Sequence, residues 1–192
     1  MDTSEPARRQ MRADARRNYE RLLAAAREAF GERGSEASLD DIAKRAGVGP
    51  GTLYRHFPTR EALLAAAYRS DVEARAAQAE ELASVYPVEE ALVRWVRQQV
   101  QEIKSKHGLG SAVKTMLGTD SETVAFCKQL MYTGVRVLLV PAQEAGVIRS
   151  DVEPADVLRL VHGVAVAAES APEQADKLLS IVLDGLRPPR RD

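Results

Sequence analysis

The amino-acid sequence predicts an all-α fold, and three observations support this prediction. Apolar residues recur along most of the chain at the three- and four-residue spacing of one helix face. No segment alternates apolar and polar residues as a half-buried strand would. Hydrophobic residues make up 45% of the 192 residues and aromatic residues only 5%, and abundant alanine and leucine suit packed helices.

The N-terminal residues 1–14 are charged and lack apolar periodicity, so we expect a flexible basic arm there. A first helix is expected over residues 15–33, ending at Gly34. Its apolar face carries Tyr19, Leu22, Ala26 and Phe30.

Residues 38–57, with the sequence SLDDIAKRAGVGPGTLYRHF, predict two short helices joined by a glycine-rich turn. Ser38 can cap the first helix, with Asp41 three residues later in the position of a capping box. Gly47 stands where the residue after that helix needs a positive φ, and Pro50 suits the first turn of the next helix. We predict a helix-turn-helix whose short second helix gains little from burial and is better explained by what it contacts.

The segment from Gly47 to Leu64, GVGPGTLYRHFPTREALL, resembles the DNA-binding signature of the TetR family of bacterial repressors. The resemblance covers roughly residues 19–64, and the turn, the aromatic helix end and the proline break occur in the order typical of the family. It implies a three-helix DNA-binding domain over residues 15–64. Residues 65–187 are then a helical effector-binding and dimerisation domain, and residues 188–192 a tail.

In a helix-turn-helix the second helix enters the major groove with its N-terminus first. We therefore expect Gly49, Pro50, Gly51 and Thr52 nearest the bases, with Thr52 bonding a base edge or a phosphate or packing on a thymine methyl. Arg55 either contacts a guanine or only neutralises a phosphate. The other expected contacts are with phosphates: Tyr54 and His56, as the resemblance also implies, Ser38 at its helix N-terminus, and Lys44 and Arg60, which are otherwise solvated charges.

Positive charge accompanies the expected DNA-binding part. Residues 1–60 contain 12 Lys/Arg and 9 Asp/Glu, whereas the whole chain has a net charge of −1. The arm could enter a minor groove, add affinity by counterion release, or remain a disordered, solvated segment. Its arginines are Arg8, Arg9, Arg12, Arg16 and Arg17.

Six further helices are expected, over residues 59–84, 87–106, 111–117, 121–145, 154–170 and 173–186. Gln99 lies on the inward face of the second of these, with Trp95 and Val96. Cys127 has apolar neighbours and is expected to be a buried thiol rather than a redox sensor, and Pro141 should kink its helix. The last two helices are apolar on more than one side, so we expect a second copy of the chain to cover one side, giving a homodimer.

The resemblance implies a small-molecule pocket inside the helical body, although pocket and dimer faces could be exchanged. Most apolar residues on these helices are simply core, and a lone histidine such as His162 is more often a hydrogen-bonded core residue. The candidate pocket residues are Trp95, Met116, Leu117, Phe126, Met131, Tyr132 and His162.

Composition and motifs exclude several other functions. Three histidines and one cysteine give no metal-ligand spacing, and no nucleophile elbow or phosphate-binding loop is present. We therefore expect no cofactor and no enzyme. With neither a long apolar run nor a secretory signal, a reducing cytoplasm is the expected compartment.

The leading hypothesis is a dimeric, ligand-responsive transcriptional repressor that occupies a palindromic operator. An activator or architectural DNA-binding protein without an effector is the first alternative. An all-helical enzyme or protein-binding module is the second.

Overall fold

A computed structural model of the chain describes residues 4–105 and 107–189, without the side chains of residues 4–8 and 107. Within these residues the fold is all-α, as predicted, with nine helices and two short 3-10 turns. The helices are α1 (Ser4–Arg33), α2 (Leu39–Arg45), α3 (Pro50–His56), α4 (Arg60–Val85), α5 (Val88–Ser105), α6 (His107–Met116), α7 (Glu122–Glu144), α8 (Pro154–Ser170) and α9 (Ala175–Gly185).

The chain divides into two compact units. The head unit comprises Met1–Asp71 and Lys106–Val124, and the body unit comprises Val72–Ser105 and Ala125–Asp192. The boundary therefore falls inside α4, and α6 belongs to the head unit. This differs from the continuous division expected from the sequence, which assigned all of residues 65–187 to the effector-binding part.

The core of the head unit brings α1, α2, α3, α6 and the first turns of α4 together. Leu22, Phe30, Ile42 and Leu53 are at most 1% exposed there. Helix α6 approaches the end of α1 very closely, because a Cβ added to Gly108 would lie 2.4 Å from the Gly31 carbonyl oxygen and 2.6 Å from that of Phe30. Only a glycine permits this contact between the two backbones.

Two helices begin earlier than the sequence predicts. Helix α1 already includes Ser4, the first described residue, rather than starting near residue 15. Arginine and alanine in this segment are good helix formers, and an ion pair between Asp14 and Arg17 joins the expected arm to the expected helix. Helix α6 starts at His107 rather than residue 111, since its packing on α1 outweighs the low helix propensity of Gly108 and Gly110.

In the body unit, α5 packs on α8 and α8 packs on α9. Trp95, Cys127, Leu139 and Val161 are buried in its core, which confirms the expected buried thiol. Helix α7 crosses the body-unit part of α4 closely, because a Cβ on Gly134 would lie 3.1 Å from the Ala76 Cα. Helix α8 has the predicted bounds.

Helix α7 is also the one helix among the described residues that is long and apolar enough to cross a membrane by length and composition alone. Core helices of globular proteins pass the same test. Met131, Val135 and Leu138 on α7 are buried inside the protein.

Candidate functional site

The turn between α2 and α3 has the geometry that the sequence predicts. The Ser38 hydroxyl accepts a hydrogen bond from the Asp41 N–H at 3.4 Å. Gly47 adopts φ +61°, and the following Val48 N–H donates to the Ala43 carbonyl at 3.0 Å. Pro50 occupies the first turn of α3. These local bonds set the direction in which α3 leaves the turn.

Helix α3 has one face in the core and one face in solvent. Leu53 and Phe57 are buried, at 1% and 4% exposure, whereas Tyr54 is 49% exposed and Arg55 is exposed beside it. At the N-terminus of the helix Gly49, Pro50 and Gly51 are exposed and Thr52 is half-buried. A Cβ added to Gly49 or Gly51 would meet no atom within 4 Å. Neither glycine is therefore required by packing within this chain.

An aromatic cluster supports the C-terminal end of α3. The rings of Tyr19 and Phe57 stack with centroids 5.1 Å apart, and the Tyr19 and His56 rings meet edge to face at 5.9 Å. His56 is half-buried by these contacts, whereas Tyr54 points into solvent. Tyr54 and His56 are both expected to contact phosphate, and Tyr54 is thus the more accessible of these two.

Arg60 is held inside the head unit rather than presented to solvent. Its Nη1 donates to the Ser35 carbonyl at 2.9 Å and to the Ala37 carbonyl at 2.5 Å. The side chain is half-buried, and the two bonds tie the start of α4 to the loop before α2. The structure therefore gives Arg60 a supporting position, which the sequence reasoning did not consider.

Arg45 is a second supporting cation that the sequence reasoning missed. It donates two hydrogen bonds to the Glu32 carboxylate, at 2.9 and 2.8 Å, and a third to Asp41 at 3.0 Å. The hydrogen bond from Arg45 lowers the pKa of Glu32, and the same bond raises the pKa of Arg45. The neighbouring Lys44 is exposed, as is Ser38, so both remain available to a ligand outside the chain.

The expected basic arm is mostly the first part of α1. Arg9, Arg12, Arg16 and Arg17 are exposed, and Arg17 forms an ion pair with Asp14 three residues earlier. The side chain of Arg8 lies outside the described residues.

Comparison with known proteins identifies the family. A model of the tetR family of bacterial regulatory proteins matches residues 22–67. A model of the C-terminal domain of SbtR-like transcriptional regulators matches residues 87–188, more than half of the chain. The chain belongs to the TetR family of bacterial transcriptional regulators.

Individual TetR-family proteins resemble the chain over different lengths. A TetR transcriptional regulator from Streptomyces coelicolor is 38% identical, with a TM-score of 0.77 and coverage of 90% of this chain and 99% of the other. A TetR regulator from Mycobacterium vanbaalenii is 31% identical, with a TM-score of 0.74 over 93% of this chain and 99% of the other. The Escherichia coli regulator UidR is 44% identical over 64 residues, one third of each chain.

These comparisons make the protein a DNA-binding transcriptional regulator of the helix-turn-helix type. TetR-family proteins are regulators rather than enzymes. Among the described residues, no three His, Cys, Asp or Glu side chains are grouped so that they could hold a metal ion.

The candidate pocket residues of this TetR protein do not form one group. Met116, like Leu117, packs against the core of the head unit, whereas the other five lie in the body unit. Trp95 and Met131 are buried, and Tyr132 is half-buried with the Lys128 ammonium 5.7 Å from its ring centroid. Phe126 is 43% exposed.

His162 is exposed on α8, so it is neither a core residue nor enclosed by the described part of the body unit. The physical reason is that α8 is apolar on two sides, and His162 lies on the outer one. Val166, at 45% exposure, lies about 40° around α8 from His162 on this solvent side, and Leu160, at 38% exposure, lies at its opposite edge.

Two neighbouring glutamines on α5 are the polar feature of the body unit that the sequence reasoning undervalued. Gln99 is fully buried, and its Oε1 accepts a hydrogen bond from Arg75 Nε at 2.6 Å. Neither its Nε2 nor the buried Oε1 of Gln98 has a hydrogen-bond partner among the described residues. The inward position of Gln99 was visible in the helical spacing, but its incomplete pairing was not.

A hollow of about 340 Å³ also lies along α5. Its lining consists of Glu90, Val93, Arg94, Arg97 and Gln98. Arg94 there donates to Glu90 Oε1 at 2.6 and 2.8 Å. This open, charged surface does not have the apolar lining that is typical of small-molecule pockets.

Proposed function

We propose that this TetR protein is a homodimeric transcriptional repressor that occupies a palindromic operator and is released or modulated by a small-molecule effector. The observation that carries the proposal is α3. It is anchored by buried Leu53 and Phe57, yet it presents Tyr54, Arg55 and a glycine-rich N-terminus to solvent. A double-stranded DNA groove is the partner that such a helix fits.

The proposed DNA contacts follow from which side chains are accessible. Gly49, Pro50, Gly51 and Thr52 lie nearest the bases, and Arg55 binds a guanine. Tyr54, His56, Lys44 and Ser38 bind phosphates. Arg60 acts indirectly, because its guanidinium already donates to two main-chain carbonyls and holds the loop that carries Ser38. The arginines of α1 add counterion-release affinity outside the groove.

The proposed dimer uses the outer sides of α8 and α9. Leu160, Val166 and Ile181 are 38%, 45% and 59% exposed on these two helices, which pack against each other. A Cβ on exposed Gly163, between Leu160 and Val166, would meet no atom within 4 Å. A glycine there allows a second helix to approach closely, and covering the three large side chains removes apolar surface from water.

The proposed effector response couples the two units. An effector that favours a conformation in which the two DNA-binding units no longer match the groove weakens DNA binding, and DNA weakens effector binding by the same factor. A regulator of the same fold, FadR from Bacillus subtilis, was solved in complex with stearoyl-CoA; at 18% identity it is similar to this chain in fold alone. As a DNA-binding regulator, the protein would act in the bacterial cytoplasm.

The first test is fluorescence anisotropy on the DNA that flanks the gene encoding this protein. We expect saturable binding that prefers the native fragment over a scrambled duplex. Affinity should fall steeply with salt, because each phosphate contact releases counterions. Equal and weak binding to both duplexes, together with failure to select any site from random DNA, would contradict operator recognition.

Tyr54→Ala provides the matched variant for this test. Tyr54 is exposed, so its removal should abolish operator binding while analytical ultracentrifugation still detects the dimer. Loss of the dimer as well would mean that Tyr54 supports the fold, which would count against the proposed role.

The dimer surface has its own test. Ile181→Lys places a charge on the proposed interface and should convert the dimer to a folded monomer. Asp176→Lys, about 140° around α9 from Ile181, is the control and should leave the dimer intact. A dimer that survives Ile181→Lys would place the interface elsewhere.

A further inference from the structure

The least explained feature of the body unit is the side-chain amide of Gln99 on α5. Gln99 is fully buried, and its Nε2 carries two N–H donors with no hydrogen-bond partner among the described residues. Buried donors in folded proteins are almost always satisfied. These two N–H groups therefore need an acceptor that the described part of the chain does not supply.

The orientation of this amide is determined by its neighbours. Gln99 Oε1 accepts from Arg75 Nε at 2.6 Å, and a guanidinium can only donate. Exchanging the oxygen and nitrogen of the amide would place N–H against N–H, so the carbonyl side must face Arg75. The two donors consequently point away from Arg75.

A second bond from α5 holds Arg75 in place. The Trp95 indole Nε1 donates to the Arg75 main-chain oxygen at 3.2 Å, and Trp95 lies one helical turn before Gln99 on the same face of α5. Helix α5 thus binds both the main chain and the side chain of Arg75. This double contact keeps the Gln99 amide in one position before any ligand arrives.

The surroundings strengthen the donor. The positive guanidinium draws electron density from the amide oxygen, which makes the N–H groups better donors. Gln99 is 0% exposed, and Trp95, Val96 and Val100 of the same helix are at most 2% exposed, so the amide is shielded from water. In such an environment a hydrogen bond is stronger than in water, and an unpaired donor is more costly.

We propose that Gln99 is the polar anchor of the effector site in the body unit, and that the effector is an apolar molecule with a carbonyl or carboxylate oxygen that accepts from Gln99 Nε2. This inference rests on the effector response proposed above. Arg75 is a positioning residue that fixes the amide. A molecule with the same apolar body but no acceptor would leave the donors unpaired and would bind more weakly.

The test uses the full-length protein and three probes built on one cyclohexyl ring. They are cyclohexyl methyl ketone, cyclohexanecarboxylate and ethylcyclohexane, which share the cyclohexyl ring and carry a neutral acceptor, an anionic acceptor and no acceptor. Trp95 is the one tryptophan of the chain, so its indole resonance and fluorescence report on events one turn from Gln99. The ¹⁵N side-chain amide resonances of Gln99 report on its donors directly.

We expect an acceptor-bearing probe to shift the Gln99 amide and Trp95 indole resonances in a saturable manner. Ethylcyclohexane should bind at least about tenfold more weakly, the cost of leaving a buried donor unpaired. A response to the ketone alone or to the carboxylate alone would identify which acceptor the effector carries. If no probe shifts the side-chain amide resonances of Gln99, the proposal is overturned. A buried water would then be the acceptor for the Gln99 donors.

Variants of Gln99 distinguish a loss of probe binding from a loss of folding. Gln99→Glu keeps an oxygen for Arg75 but removes both donors, and should lose at least about tenfold in probe affinity. If Gln99→Glu does not fold, Gln99→Met takes its place in the test. Methionine is similar in length and has no donor, so this variant should show the same loss of probe affinity. Gln101→Glu, on the exposed side of α5, is the control and should bind like the unchanged protein. Unchanged affinity in a folded Gln99 variant would overturn the proposal.

Operator binding distinguishes failure of the anchor from failure of the effector response. Release of DNA by the probes from both the unchanged protein and Gln99→Glu would leave the effector response standing and overturn the anchor. Probe-induced shifts of the Gln99 resonances without any change in operator affinity would support Gln99 as the polar anchor and contradict the proposed effector response. If neither the resonances nor DNA binding respond, both proposals fail.

Discussion

Replacing Gly51 by alanine should separate folding from DNA binding. Gly51 is the second residue of α3, it is exposed, and a Cβ placed on it meets no atom within 4 Å. It is not among the glycines with positive φ. The described part of the chain therefore has room for an alanine, and the proposed contact with DNA is what would require a glycine at this position.

Gly51→Ala should raise the stability of the fold but lower the affinity for DNA. Alanine in a compatible helical position is more stabilising than glycine by about 0.4–1 kcal/mol, which corresponds to a melting temperature raised by roughly 1–4 °C in a chain of this size. Against DNA, the added methyl overpacks a close contact, which costs about 1–3 kcal/mol per half-site. That cost is roughly a 5- to 150-fold loss of affinity per half-site.

The assay pairs thermal unfolding with operator anisotropy. Gly110→Ala is the matched control, because Gly110 is an exposed helical glycine of α6 whose added Cβ also meets no atom within 4 Å. It should gain similar stability and keep full operator affinity. Gly51→Ala with unchanged operator affinity would refute the close approach of α3 to DNA, and a lower melting temperature would refute the packing argument.

Three further predictions concern the head unit. Gly108→Ala should lower stability by about 3 kcal/mol in urea unfolding, because its Cβ meets three main-chain atoms of residues 30–34 within 3 Å, whereas Gly110→Ala should not. Arg60→Met should cost about 2 kcal/mol by removing a charged donor from two carbonyls, yet leave operator affinity unchanged where the variant is folded. Glu32→Gln should reduce the loss of stability on acidification. The hydrogen bond from Arg45 holds the pKa of Glu32 in the folded protein below 4.5, so the ionised Glu32 stabilises the fold fully above pH 4.5. That stabilisation disappears as the pH falls through the pKa of Glu32 in the folded protein. Urea midpoints at pH 7 and 3.5, compared with exposed Glu80→Gln, would check this.

The helix-turn-helix could be predicted in detail because its determinants are local. The hydroxyl of Ser38, the positive φ of Gly47 and the placement of Pro50 each depend on residues within a few positions in the sequence. Buried Leu53 and Phe57 follow from the helical spacing, since the hairpin has one possible inner face. Once Leu53 and Phe57 are assigned to the inner face of α3, the remaining residues of the helix must form its exposed face.

The positions of the charged residues could not be predicted in the same way. Arg60 donates to carbonyls 23 and 25 residues earlier, and Arg45 binds a carboxylate 13 residues earlier. Those partners are brought together by packing of the head unit. From the sequence, a supporting arginine and a DNA-binding arginine look alike, and so Arg60 was grouped with Lys44.

The helices of the body unit were predictable, but the use of their faces was not. Helical spacing showed that α8 is apolar on two sides, without indicating which side meets the body. The structure turns Leu160, His162 and Val166 outward. This makes His162 a candidate for the dimer surface rather than for the effector site. Ile181 on α9 is exposed as well, and it is a candidate for the same surface.

Gln99 shows why the proposed polar anchor could not be recognised from the sequence alone. Its helical position predicts burial, but only the bond to Arg75, 24 residues earlier in the sequence, reveals that one half of the amide is paired and the other is not. If residue 99 served only to hold Arg75, a glutamate would form the stronger, charge-assisted bond. What a glutamine adds at this position is its two N–H donors. The proposed effector would supply the acceptor that these donors lack among the described residues.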